Sequence, residues 1–142
     1  MSDTQFRFRD DETVADPAVT VDSFGDQSNA AAVRLEPGDD ARDLLPYLDR
    51  LKLVEVNFPK YGDGRGYSSA RILREAGYAG ELRAVGDVLI DQLAAMRRCG
   101  FDAFAPEHPL DENDAAAAFA RWDDVYQATT DGRQPIWARR HG

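Results

Sequence analysis

Four short segments of this chain, Ala32 to Glu36, Leu53 to Phe58, Glu81 to Gly86 and Phe101 to Ala105, sort their side chains by parity, and helix-like segments stand between them. Successive residues of a strand point to opposite faces of its sheet. One parity collects Val33, Leu35, Val54, Val56, Phe58, Leu82, Ala84, Phe101, Ala103 and Ala105, all apolar. The other collects Arg34, Glu36, Glu55, Asn57, Arg83, Val85, Asp102 and Phe104, which is mostly charged. A parallel sheet with helices on both faces needs strands that are apolar on both faces, and these are not. The pattern predicts helices on one side only. Right-handed crossovers give that result when the strand order advances in one direction. The expected fold is α/β: a singly wound parallel sheet of about four βα units, resembling half a TIM-type barrel.

The charged parity carries an order of its own. Arg34, Glu55, Arg83 and Asp102 stand at similar depths in successive segments, so neighbouring strands would bring opposite signs together. Such cross-strand pairs contribute ~0.2–1 kcal/mol each, and like charges would oppose the register. This face reads either as a polar layer met by solvent or a partner, or as the border of a ligand site near the strand C-termini.

At 142 residues the chain has the length of one domain. Residues 1–30 form an acidic segment, extended in short pieces or partly disordered, with Phe6, Phe8, Val14, Val19, Val21 and Phe24 as its anchors. Residues 31–128 carry the α/β pattern, and 129–142 form a tail with Ile136 and Trp137. Helices are expected over Asp43 to Arg50, from Gly66 to a stop at Gly77, from an Asp87 cap to a stop at Gly100, and over Asp111 to Ala128. Trp122 and Tyr126 fall on one face of the last.

Several function classes drop out on composition. Cys99 is the only cysteine and His108 and His141 the only histidines, so no disulfide, cysteine-based zinc site or iron–sulfur cluster is expected, and no metal site. A net charge of −9 opposes duplex nucleic acid and anionic membranes as partners. No apolar run approaches the ~20 residues of a membrane span. The acidic start, with Asp3, Asp10, Asp11 and Glu12, does not read as a secretory signal, so a cytoplasmic location is expected.

The run from Asn57 to Arg71, NFPKYGDGRGYSSAR, leaves a strand and enters a helix. Gly62, Gly64 and Gly66 allow backbone shapes that side chains forbid. Lys60 and Arg65 supply positive charge, and Ser68 and Ser69 supply hydroxyls at a helix start. Together, Lys60, Arg65, Gly66, Ser68 and Ser69 describe a site for a small oxyanion or a phosphorylated ligand, beyond the strand C-termini where α/β ligands bind. Alternatively the run is a glycine-rich turn in which Arg65 pairs with Asp63 or Asp87. Glu36, Asn57, Asp63, Arg83 and Asp87 are candidates to line the site; Asp87 reads equally as a helix cap. The third glycine comes one residue too early for the dinucleotide fingerprint, and Gly-Lys-Ser/Thr is absent, so no cofactor announces itself.

Three stretches, Asn57 to Arg71, Gly80 to Leu93 (GELRAVGDVLIDQL) and Arg98 to Phe104 (RCGFDAF), resemble an uncharacterised bacterial family, domain of unknown function 934. Its members are often labelled oxidoreductases of sulfite reduction, and their genes accompany those of sulfite reductase. The resemblance implies a role in assimilatory sulfur metabolism and carries no catalytic residues with it. It leads to three expectations. The first is an accessory protein of sulfite reduction, in a homodimer or in complex with a sulfite reductase component, because open strand edges invite pairing. The second is an enzyme of the same step whose cofactor the sequence does not announce. The third is a non-catalytic interaction subunit.

Overall fold

A computed structural model describes residues 4–11, 14, 17–26, 30–59 and 65–129, with backbone only at 25, 26 and 122–129. Among these residues one sheet contains β1 (Phe6–Arg7), β2 (Val19–Thr20), β3 (Ala32–Leu35), β4 (Leu53–Phe58), β5 (Glu81–Gly86) and β6 (Ala103–Pro106), in the order β1-β6-β5-β4-β3-β2. Strands β2 to β6 run parallel and in sequence order, and β1 lies antiparallel on the outer edge of β6. The protein is therefore α/β with a six-stranded, mostly parallel sheet.

Helices α1 (Val21–Asp26), α2 (Arg65–Glu75), α3 (Leu93–Cys99) and α4 (Glu112–Thr129) alternate with the strands. A 3₁₀ helix, Ala41–Tyr47, takes the place of a helix between β3 and β4, and a 3₁₀ turn, Ile90–Gln92, leads into α3. None of the described helices is long and apolar enough to cross a membrane. Phe24 of α1, Ala41 and Leu44, Ala70 and Leu73 of α2, Leu93 and Met96 of α3, and Ala115 and Phe119 of α4 meet in one core. From the sheet that core takes Val33, Leu35, Val54, Val56, Phe58, Leu82 and Ala84, the apolar parity expected for β3, β4 and β5. Each fully buried valine, leucine, phenylalanine or methionine among them contributes ~1.5–3 kcal/mol.

Strand β6 departs from that expectation. Helix α3 ends at Gly100 (φ 116°), and the Phe101 amide still bonds the Met96 carbonyl at 3.1 Å, so Phe101, though buried in the core as expected, belongs to the helix exit and not to the strand. The alternation starts two residues late and in the opposite phase. Phe104 points into the core beside Phe119 and Phe8, while Ala103 pairs with Arg83 on the charged face. Asp102 drops to the N-terminal rim of the strands. There its carboxylate accepts bonds from Leu82 N (2.9 Å), Arg74 (3.0 Å) and Arg9 (2.8 Å).

The N-terminal segment joins the sheet. Phe6 and Phe8 stack edge-on against Phe119, with centroids 5.3 and 4.8 Å away, and Arg7 and Arg9 face the other way. Because Ala103 is small, Arg7 reaches across it to Glu81 at 2.9 Å. Glu81 also holds Arg83 (2.9 Å), Arg83 holds Glu55 (3.1 Å), and Glu55 holds Arg34 (3.1 Å). At the other end Arg7 and Arg9 share Asp11, both at 2.8 Å. The expected alternation of sign holds for Arg34, Glu55 and Arg83, and it continues through Glu81 and Arg7 instead of Asp102.

Helix starts also differ from expectation. Asp40, not Asp43, caps the first, its side chain accepting from Arg42 N at 3.0 Å, and Pro46 lies inside a 3₁₀ helix. Asp87 caps nothing. Its amide extends the sheet by bonding the Phe58 carbonyl (2.8 Å), and the next helical turn starts only after Leu89, whose amide donates to the Gln92 side chain (3.1 Å). The stops at Gly77 and Gly100 have the expected positive φ, 96° and 116°.

Glu81 is 1 % exposed and serves two arginines, so Glu81→Gln should lower unfolding free energy by about 3–5 kcal/mol in urea titrations, the usual cost of breaking a buried ionic cluster. Gly86 has φ +90°, and a β-carbon there would collide with Asn57 Oδ1 and with the Phe58 carbonyl. Gly86→Ala should therefore cost at least ~1 kcal/mol in the same assay, where a helix-surface Gly→Ala change would help. The hydrogen bond from Arg9, followed by its charge and the bonds and charge of Arg7, holds the Asp11 carboxyl at about 2, below its ordinary 3.8. A depressed carboxylate stabilises above its unfolded value, and that contribution fades as pH falls from about 4 towards 2. Thermal midpoints of wild type and Asp11→Asn should differ at neutral pH and converge at the acid end of that window.

Candidate functional site

Strands β4, β5 and β6 end together at one margin of the charged face. A cavity of about 720 Å³ opens there. Val85, Gly86 and Ala105 form its floor, small residues on the face opposite the core. Phe58, Pro59, Pro106 and Pro109 make apolar walls, and Thr4, Gln5, Arg34, Asn57, Asp87 and Glu107 bring polar groups to it. Backbone bonds fix the rim: the Glu107 amide donates to Gly86 O at 2.7 Å, and the Asp87 amide to Phe58 O. Gln5 clasps the β6–α4 connection with both ends of its carboxamide, Nε2 to Leu110 O (2.7 Å) and Leu110 N to Oε1 (2.9 Å).

A second, smaller cleft of about 10 Å³ lies beside it, between the β3 and β4 ends and the start of α2. Glu36, Asn57, Arg65, Gly66 and Ser69 line it. Asn57 Nδ2 donates to Glu36 Oε1 at 2.8 Å, and Arg65 donates to the Pro37 carbonyl at 3.2 Å. Gly66 is buried because α2 runs close over β4: a β-carbon would sit 2.6 Å from the Phe58 ring. That contact fixes where α2 starts and so where Arg65 and Ser69 stand.

The candidate residues thus separate into groups. Arg65, Gly66, Ser69, Glu36 and Asn57 come together at the small cleft, and Asn57 and Asp87 border the large cavity. Ser68 is exposed on the other side of α2. Arg83 is 5 % exposed and engaged with Glu55 and Glu81 beneath the cavity. Lys60 and Asp63 lie outside the described residues, as do the side chains of Trp122 and Tyr126 and all of the 130–142 tail. Cys99 is buried in the core, and His108 is exposed on the rim loop. No group of three or more metal-ligating side chains occurs among the described residues.

Sequence reasoning missed Arg34, Gln5 and Glu107 as cavity residues. Arg34 was visible as the first charge of the row. Gln5 had a signal too: Phe6-Arg7-Phe8-Arg9 repeats the apolar/ionic alternation of the later strands, which marks the preceding residue as the edge of one more strand.

Burial also works on groups at the opposite end of the sheet. It pushes the Tyr78 hydroxyl above its ordinary range and draws Arg74 below its own, though Asp102 acts in the opposite sense on Arg74. Arg74 donates to Gly100 O, Tyr78 O and Gly80 O as well as to Asp102, tying α2, α3 and β5 together at the end of the sheet away from the cavity.

A family model described as "Bacterial protein of unknown function (DUF934)" matches residues 32–137, from β3 through α4, while β1, β2 and α1 precede the match. No curated protein and no solved structure matches the chain. With most of its 142 residues under that model, the chain belongs to this bacterial family of unknown function.

Proposed function

We propose that the protein is an accessory component of assimilatory sulfite reduction in the cytoplasm. Its β4–α2 connection, Lys60 to Ser69, binds a small oxyanion or a phosphorylated ligand. It acts as a homodimer or in complex with a sulfite reductase component. The observation that carries the binding half is the meeting of Arg65, Gly66 and Ser69 with Asn57 in one cleft at the C-terminal end of β4. A guanidinium, a hydroxyl and the first amides of an 11-residue helix are hydrogen-bond donors, and they stand where the dipole of α2 favours negative charge, while the Asn57 carboxamide occupies the Glu36 carboxylate of the same cleft. The connection that bears Lys60 starts at Pro59, which borders both the cleft and the large cavity.

The sulfur half rests on the resemblance of the three stretches from Asn57 to Phe104. The winding supports a barrel-like reading of the site: strands that advance in one direction with a helical core on one side form an arc, as in a half-barrel of four βα units, and such folds bind ligands at the strand C-termini. Among the described residues the two-residue strands β1 and β2 are the edges of the sheet, where a partner strand could pair.

Calorimetric titration with sulfite, sulfate and phosphate should give saturable binding that Arg65→Ala weakens at least tenfold with the fold intact, the loss expected for a charge-assisted contact of ~1.5–3 kcal/mol. A deletion strain should grow on cysteine and on sulfide but not on sulfite or sulfate. Growth on sulfite would place the protein elsewhere, and equal binding by Arg65→Ala would make the arginine structural.

A further inference from the structure

The large cavity has features that a loop for small oxyanions does not use. Arg34 borders it and donates through Nε to Glu55 at 3.1 Å. Its two terminal nitrogens meet no acceptor among the described residues, and its side chain is 35 % exposed. Glu55 is itself shared with Arg83. A guanidinium braced in this way presents its outer N–H pair in a fixed plane, the geometry that grips a carboxylate or sulfonate with two parallel bonds. On the far side of the cavity Asp87 and Glu107 stand at the ends of β5 and β6. Their amides are tied into the sheet, and among the described residues neither carboxylate has a cationic partner closer than His108, 4.0 Å from Glu107. Between the two sides lies the apolar floor of Val85 and Ala105.

We propose that this cavity binds an elongated zwitterionic organic molecule, with its carboxylate or sulfonate on Arg34, its ammonium between Asp87 and Glu107, and an aliphatic stretch over Val85 and Ala105. Arg34 is in register with Arg83, two strand spacings (~10 Å) away, and Asp87 lies four residues (~13 Å) further along the chain, so the two backbones stand about 16 Å apart and a ligand that bridges their side chains must be elongated. That span excludes an α-amino acid bound through its own two charges and suits an ω-amino acid or a short peptide. The same two carboxylates repel a dianion of that length. The inference is independent of the Lys60–Ser69 loop, and failure of sulfite to bind there would leave it standing.

The test uses the full chain and four probes of matched length: 8-aminooctanoate, octanoate, octylamine and octanedioate. Binding is followed by calorimetry and by amide chemical shifts of Val85, Gly86 and Ala105. Wild type should prefer 8-aminooctanoate at least tenfold over each of the others. Arg34→Gln should erase the advantage over octylamine, and Arg34→Lys should restore only part of it. The double variant Asp87→Asn, Glu107→Gln, on rim positions outside the core, should erase the advantage over octanoate and raise the affinity for octanedioate. Equal binding of the four probes, no shifts on the cavity floor, or an unchanged ranking in the double variant would overturn the proposal. If Arg34→Gln fails to fold, the double variant decides it alone.

Discussion

Glu81 opens β5 on the sheet face that faces away from the helical core, and both of its oxygens are in use, one by Arg7 and the other by Arg83. Burying a carboxylate costs several kcal/mol unless its lone pairs are filled and opposite charge is adjacent. Here both conditions depend on strand register. Arg83 lies two residues along the same strand, and Arg7 arrives only because β1 pairs with β6 so that Arg7 sits opposite the small Ala103. A slip of one residue in β1 would turn Phe6 and Phe8 out of the core and leave Glu81 short of a partner. The apolar side of the sheet supplies most of the energy, and the ionic side selects the alignment.

That division of labour also makes the cavity. Arg7 reaches across the small Ala103, and among the described residues no second layer of bulky side chains covers this face, so Val85, Gly86 and Ala105 at the strand ends border open space. The helices are all committed to the other side through one core. What closes the cavity at its edge is the N-terminal strand, whose Gln5 clamps the Leu110 backbone more than a hundred residues away. The polar face and the binding space are thus one feature, produced by winding the helices to one side.

Parity made much of this legible. In β3, β4 and β5 the residues read as apolar are the ones in the core, because each strand is long enough for alternation to assert itself and is flanked by clear turns. In β6 the reading failed for a local reason: the left-handed Gly100 and the Phe101-to-Met96 bond carry the helix exit two residues further, and no rule of alternation contains that offset. The first strand was hidden by brevity. Two hydrogen-bonded residues give no periodicity to detect, although Phe6 and Phe8 against Arg7 and Arg9 carry the same code. The small cleft was readable from the glycines and donors around Arg65. The large cavity was not, since its rim joins residues 4 and 5 to residues 105–109, a proximity created by an antiparallel edge pairing.

Position along the ionic row, rather than residue type, separates arginines that build from an arginine that binds. Arg83 and Arg7 are interior to the row, each with carboxylates on two sides. Arg74, at the lower end, is filled by three backbone carbonyls and Asp102. Arg34 is the upper end: β3 is followed in the sheet only by β2, whose Thr20 stands in the register position where another acid would continue the alternation. A row of alternating charge that runs out on a neutral residue leaves its last member half satisfied, and this one does so beside the 720 Å³ cavity on the polar face. Had residue 20 been aspartate, Arg34 would be a structural residue like the others.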